Sequence, residues 1–300
     1  MAGSAAEELS LRTGNSVEPC KPSSGSETSL PEFAHKGWRL FFEDRGQGPP
    51  VLLLHGLFMD HSMLDPMVDA LSGRYRVITP DLRGHGRSEH RAEERTLWQV
   101  MEDQVALLDT LGIERAVWGG ASVAGPIALR AALRHPDRVV GLVLISTQAG
   151  PEHATRLPAY EAWADAVAKQ GWTEDALLGS ATTNFGRSTP EALRHRWMER
   201  WRAQPVDDVR EIMRSLTRHE SLLERLGDVH VPALVLYGDD DDIALQLDEV
   251  EQMVHALPKV FDFVRIAGAG HSPTLEQPEA AAAAVGGFLD SLSRSQGVKW

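Results

Sequence analysis

The sequence predicts an α/β fold, a mostly parallel sheet flanked by helices on both faces, with a helical cap inserted between two of its strands. Three observations predict it. Strand-like and helix-like stretches alternate along most of the chain, which is the pattern of a parallel sheet with crossover helices. Several strand-like runs, among them VLLLH at Val51–His55 and VVGLVLI at Val139–Ile145, are continuously apolar, as strands covered on both faces are. The alternation then breaks over residues 151–228. That stretch has no strand signal, several amphipathic helical stretches and four of the eight tryptophans: Trp163, Trp172, Trp197 and Trp201.

Residues 1–31 are rich in Ser, Gly, Glu and Ala with almost no bulky hydrophobes. Such a segment buries too little apolar surface to offset its ordering entropy, so it reads as a disordered tail that carries Cys20 into solvent. From Glu32 the texture changes. Trp38–Glu43 is a strand, the run Gly46 to Pro50 a turn, and Val51–His55 a buried strand. Arg74–Thr79 is the next strand, closed by Pro80. Thr96–Leu111 is a helix: Thr96 and Gln99 form a capping-box pattern, Leu97, Met101, Val105 and Leu108 share a face, and Gly112 stops it. Ala116–Gly120 leads directly into a helix from Ser122 to about Arg134, and Val139–Ile145 follows. Beyond the break come strands Ala233–Tyr237 and Phe261–Ile266 and a terminal helix from Pro278 to about Leu292. The expected organisation is a core of 32–150 and 229–300 with the cap at 151–228.

Composition narrows the function. The 300 residues are 42% hydrophobic and carry a formal net charge of −13, which argues against nucleic acid or an anionic membrane as a partner. A single cysteine excludes an intramolecular disulfide, a cysteine-based zinc site and an iron–sulfur cluster. No apolar stretch, Ala280–Leu289 included, reaches the roughly 18 residues of a membrane span. The opening MAGSAAEELS has neither a basic nor an apolar region of a secretory signal, so the expected location is cytoplasmic.

In such sheets ligands bind beyond the carboxyl ends of the strands, so the residues that directly follow each strand decide the chemistry. Gly120-Ala121-Ser122-Val123-Ala124-Gly125 stands at a strand-to-helix junction, where a serine projects from a sharp turn between small neighbours, the G-x-S-x-G nucleophile elbow with Ala124 in its fifth position. Asp239 to Asp242 follow Ala233–Tyr237, and Gly270-His271 follows Phe261–Ile266. A serine hydroxyl is too weakly acidic to attack unaided; it needs an imidazole to take its proton and a carboxylate to fix the imidazole tautomer. The order Ser, Asp, His along the chain is the order this architecture uses. His55-Gly56-Leu57 follows Val51–His55; the backbone amides of Leu57 and Val123 can form an oxyanion hole, with the His55 side chain only tying the loop in place. Phe58, Trp163 and Trp197 are the expected walls of an acyl pocket. The dense cap arginines, Arg194, Arg196, Arg200 and Arg202, read as a solvated helical face, although one of them could meet a substrate carboxylate. There is no H-E-x-x-H and no tight His/Asp cluster in the sequence, so neither a metal nor another cofactor is expected.

The segments LLLHG (52–56), DLRGHGRS (81–88), GASVAG (120–125), VPALVLYGDDDD (231–242) and AGHSPTLEQP (269–278) together resemble the α/β-hydrolase superfamily over about residues 34–293. Within it, the spacing and the short cap are similar to 3-oxoadipate enol-lactonases and related small esterases. The sequence departs from that pattern at Ala121 and Ala124-Gly125, and at Met63-Leu64 downstream of the HG loop. The resemblance implies an eight-stranded sheet, and it places the acid three residues after Gly238, at Asp241. The expected activity is hydrolysis of a small-molecule carboxylic ester or lactone by Ser122, His271 and Asp241. A carbon–carbon bond hydrolase, a thioesterase or a perhydrolase with the same triad, or a receptor on the same fold with little turnover, stand as alternatives. The oligomeric state is left open.

Overall fold

The structure is a computed structural model that describes residues 31–241 and 244–296. The tail expected over 1–31 lies, Pro31 excepted, outside the described residues, as does Asp242. Eight strands form one sheet: β1 (Glu32–His35), β2 (Trp38–Arg45), β3 (Pro50–Leu54), β4 (Arg76–Pro80), β5 (Ala116–Ala121), β6 (Val139–Ile145), β7 (Ala233–Gly238) and β8 (Val260–Ile266). Their order is β1-β2-β4-β3-β5-β6-β7-β8. β1 and β2 pair antiparallel, as do β2 and β4, and every other pair is parallel.

The sequence explains the burial. β3, β5, β6 and β7 are buried at every position, as their continuous apolar runs require. One face packs Leu52, Leu54 and Trp118 against helices Leu97–Thr110, Ala124–Arg134 and Leu247–Ala256. The other packs Val51, Leu53 and Val143 against helices Asp65–Leu71 and Pro278–Gln296. The Thr96–Gln99 capping box forms, with Gln99 N–H donating to Thr96 Oγ1 at 3.2 Å and Thr96 N–H to Gln99 Oε1 at 2.9 Å.

One strand and two helices are among the elements that the sequence pattern does not mark. β1 is four residues long and turns into β2 through Lys36 and Gly37, both at positive φ (47° and 81°), a tight hairpin turn with two left-handed residues. Helices Asp65–Leu71 and Leu247–Ala256 are short and lie beside a loop and the aspartate run, where no long periodicity marks them. No helix among the described residues is long and apolar enough to cross a membrane.

Between β6 and β7 stand four helices, Leu157–Gln170, Glu174–Asn184, Glu191–Arg202 and Val209–Thr217. They are tied to the loop after β3: Trp201 Nε1 and Gln204 Nε2 each donate to the Phe58 carbonyl at 3.0 Å, and Arg200 Nη2 donates to Asp60 at 2.6 Å. The parallel register aligns the carboxyl ends of β3, β5, β6, β7 and β8 along one edge, directly beneath these helices.

At that edge β7 and the loop after β8 nearly touch. A Cβ on Gly238 would stand 2.0 Å from the Gly270 carbonyl oxygen and 2.6 Å from that of Ala269. Asp240 N–H donates to the Ala269 carbonyl at 2.8 Å, closing the same gap. Gly238→Ala is therefore expected to destabilise the fold by about 3 kcal/mol through overpacking of backbone against backbone. Urea unfolding monitored by circular dichroism measures this; a midpoint equal to wild type would show that the strand and loop separate freely.

Candidate active site

Ser122 occupies the first turn after β5 at φ 53°, a left-handed conformation that a non-glycine residue holds only when its surroundings impose it. The surroundings do. Ser122 N–H donates to the Ile145 carbonyl at 2.9 Å, and the Ser122 carbonyl accepts from Gly125 N–H at 2.9 Å and from Thr147 Oγ1 at 2.6 Å. The turn closes so tightly that a Cβ on Gly120 would lie 2.2 Å from the Ala124 carbonyl oxygen, and one on Gly125 would lie 2.2 Å from Thr147 Oγ1. Ala124, fully buried, is accommodated where the motif has glycine.

Asp241 and His271 meet across the edge. His271 Nδ1 lies 2.6 Å from Asp241 Oδ2, with both residues buried. The second carboxylate oxygen accepts Leu245 N–H at 3.2 Å, and the Tyr237 hydroxyl donates to the Asp241 carbonyl at 2.9 Å. Asp239 turns outward to Arg265 at 2.6 Å, and Asp240 is half-buried, so of the described aspartates in the run only Asp241 meets the imidazole. Burial by itself would push the His271 imidazole down. The charge and hydrogen bond of Asp241, with Glu276 and Glu152 farther off, outweigh burial and hold it above its ordinary value. An imidazole held in this way, with its other nitrogen free, is equipped to take a proton from a hydroxyl.

Ser122 and His271 border one cavity of about 380 Å³, together with Leu57, Phe58, Tyr160 and Trp163. Leu57 borders the same cavity as Ser122 and Val123 follows Ser122 in the chain, and among the described residues neither amide donates to a protein acceptor. The Leu57 loop is pinned by His55, whose Nδ1 is 2.8 Å from the Gly56 carbonyl while its Nε2 accepts Leu82 N–H at 3.0 Å. This fixes a neutral tautomer, and burial pushes the His55 imidazole below its ordinary value.

Trp197 corrects the expected pocket. It is 2% exposed and does not border the cavity; it stacks on Trp201, whose ring centroid lies 6.1 Å away, inside the core of the cap. Leu193, Trp197, Met198 and Trp201 are the buried residues of helix Glu191–Arg202, and their spacing of three and four is the inward stripe of an amphipathic helix. Trp163, on the first cap helix, Leu157–Gln170, borders the cavity and packs on Phe58 with ring centroids 5.0 Å apart.

Several residues at the site had no sequence signal. Glu152, Arg156 and Tyr160 lie on the cavity wall, and Glu152 and Arg156 look in sequence like an ordinary i,i+4 surface pair. Glu276 accepts the amides of Gly270 (2.9 Å), Ser272 (3.1 Å) and Gly186 (2.6 Å), joining the His271 loop to the cap. Asp60, His61 and Asp81 bring three potential metal-ligating atoms together. Their carboxylate oxygens accept hydrogen bonds from Ser62, Arg200, His61 and Arg87.

A family model described as the alpha/beta hydrolase fold matches residues 49–278. The chain is 27% identical over 251 residues to 3-oxoadipate enol-lactonase 1 of Acinetobacter baylyi, a match that covers 81% of this chain and 90% of the relative. Among solved structures it is similar to a thermophilic esterase from Thermogutta terrifontis, at 29% identity and a TM-score of 0.80, covering 88% of this chain and 97% of that one. It is likewise similar to an enol-lactonase from Burkholderia xenovorans LB400, at 25% identity and a TM-score of 0.80, covering 87% and 100%.

Two expectations follow from the site. His271, followed by its ring-proton NMR titration, should ionise above pH 6.5, and in Asp241→Asn the main opposition to burial is removed, so the midpoint should fall; a midpoint that the substitution leaves in place would detach the aspartate from the imidazole. Trp197→Ala should cost about 3–5 kcal/mol of unfolding free energy, with a much smaller loss for Trp163→Ala on the open cavity wall. Comparable chemical denaturation midpoints for the two variants would contradict the placement of Trp197 in the cap core.

Proposed function

The chain belongs to the alpha/beta hydrolase fold family, and within it we propose a serine hydrolase that cleaves a carboxylic ester or lactone through Ser122, His271 and Asp241. The observation that carries this reading is the 2.6 Å Asp241–His271 bond on the wall of the cavity that also exposes Ser122 at its strained turn. The esterase and enol-lactonases among the relatives support it.

Ser122 Oγ attacks the substrate carbonyl carbon while its proton passes to His271 Nε2. Asp241 keeps the Nδ1 proton in place and stabilises the imidazolium that forms. The carbonyl oxygen becomes an oxyanion and is met by the Leu57 and Val123 amides, each worth on the order of 10²–10³ in rate where such donors have been removed. The tetrahedral intermediate collapses as the alcohol oxygen leaves with the His271 proton; in a lactone this oxygen stays tethered to the acyl chain. Water then attacks the acyl-enzyme, gives its proton to His271, and releases the acid and free Ser122. Residues 151–228 serve as the cap that closes the acyl pocket, bringing Trp163 onto Phe58. Burial of the reacting atoms strengthens each of these polar contacts.

Ser122→Ala should abolish both the hydrolysis of p-nitrophenyl esters and covalent labelling by a fluorophosphonate, with little change in thermal midpoint. Asp241→Asn should lower turnover by roughly 10⁴, the loss seen when the orienting carboxylate of serine proteases is neutralised. Because the base must be neutral and its ionisation is raised, the acid limb of kcat/KM should fall above pH 6.5. Undiminished hydrolysis by Ser122→Ala would end the mechanism. Wild-type protein that neither labels nor turns over any ester, thioester or lactone would favour a receptor instead.

A further inference from the structure

Two charged side chains, Glu152 and Arg156, border the cavity alongside His271, and the rest of its wall is neutral. Arg156 is already engaged by carboxylates. Its Nε donates to Glu152 Oε1 at 2.5 Å, and its Nη2 donates to both oxygens of Glu249, at 2.7 and 3.0 Å. Glu152 is 8% exposed; Oε1 also accepts His153 N–H at 3.0 Å, and among the described residues Oε2 accepts no hydrogen bond. Asp241 adds a third carboxylate just behind His271. With His271 neutral, the wall itself carries one carboxylate and one guanidinium, and two further carboxylates, Glu249 on Arg156 and Asp241 on His271, stand behind it.

The neighbouring groups register that excess. Tyr160, on the same wall, has its phenol pushed up first by burial and then by Glu152, with Asp241 and Glu249 adding to the effect and Arg156 opposing it. Glu152 is also among the charges that hold His271 up. Five further cap arginines lie away from this wall. Arg194 donates to the Gly186 and Thr189 carbonyls, and Arg200 pairs with Asp60. Arg202 pairs with Glu174, Arg210 with Asp165 and Arg214 with Glu211. None of these five borders the cavity.

We propose that the site selects by charge: it takes esters and lactones whose acyl group is uncharged and rejects those carrying a second, free carboxylate, with Glu152 as the residue that enforces the rejection. This rests on the hydrolase reading above. A carboxylate brought into the pocket would lose its water and face the Glu152 carboxylate, while the Arg156 guanidinium is already held by Glu152 and Glu249, and in a partly desolvated cavity that repulsion is only weakly screened.

Two p-nitrophenyl esters of equal length test it: the monoester of adipic acid, which ends in a carboxylate at pH 8, and the matching ester of adipamic acid, which ends in a neutral amide. Wild-type kcat/KM should favour the amide-terminated ester by at least about tenfold, with most of the difference in KM. In Glu152→Gln, confirmed folded by circular dichroism, the preference should shrink at least about threefold. Glu249→Gln releases the Arg156 fork from its other side and should shrink it too, and it serves should Glu152→Gln fail to fold. Cleavage of the acid-terminated ester as fast as the amide by wild type overturns charge selection, as does an unchanged preference in the folded variants. Plain p-nitrophenyl hexanoate separates the two readings: if it too resists cleavage, the hydrolase reading falls and takes this one with it, whereas hexanoate cleavage with equal rates for the two adipic esters removes charge selection alone.

Discussion

A serine held at φ 53° is the constraint from which the geometry of this edge follows. A non-glycine residue in the left-handed region costs on the order of 1–3 kcal/mol, and the conformation persists only where neighbours over-determine it. Here the neighbours are backbone groups and one buried hydroxyl, that of Thr147. The Ile145 carbonyl anchors the serine amide, Gly125 and Thr147 anchor its carbonyl, and the turn closes over Gly120 with no room for a Cβ. Apart from Thr147, two residues past β6, each anchor comes from β5, β6 or the buried start of the helix Ala124–Arg134, so the strain is spread into the buried centre of the sheet. The side chain that results stands clear of its own strand, at the point where the cavity opens.

The imidazole is placed by a second, independent set of constraints. β7 delivers Asp241 through a close approach of Gly238 to the loop after β8, and that loop is clamped by Glu276. The same carboxylate takes Gly186 N–H and Thr189 Oγ1 from the cap, while a Cβ on Gly270 would lie 2.2 Å from Gly186 N. Cap and His271 loop therefore share one anchor. A shift of the cap at this corner cannot occur without disturbing the backbone that carries His271, so pocket shape and imidazole position are mechanically joined.

The legible part of the sequence is the part governed by short-range rules. β6 spans the residues the apolar run marks, and the strands from β3 to β8 agree to within two residues at each end, because continuous apolar runs bounded by Gly and Pro leave little freedom. Ser122, His271 and the aspartate run stand out because each directly follows such a run. Choosing Asp241 from among its neighbours needed the family resemblance, since four like residues in succession carry no internal distinction; the fold separates the described ones by turning Asp239 to Arg265 and burying Asp241. What remained illegible is set by long-range packing. Glu152 and Glu249 are 97 residues apart and meet only through Arg156. Trp197 was assigned to the pocket on size alone, whereas the stripe it forms with Leu193 and Trp201 was available in the sequence and points inward.

Charge state separates the imidazoles buried near this edge. His55 and His85 are packed with ring centroids 5.1 Å apart, and burial, with no bonded carboxylate to oppose it, pushes His55 down and His85 well down. Both stay neutral and act as fixed hydrogen-bonding struts for the loops after β3 and β4. His61 has a carboxylate partner in Asp81, which outweighs burial and raises it, but the ring is turned to Asp81 and Glu43 and does not border the cavity. His271 alone combines a bonded carboxylate with a place on the cavity wall beside Ser122. A proton acceptor for the serine needs both, since a carboxylate without access has no proton to collect and access without a carboxylate leaves the imidazolium unsupported. The same requirement explains why the carboxylates crowd on this side of the pocket. The field that steadies a protonated His271 is the field that a substrate carboxylate would have to enter.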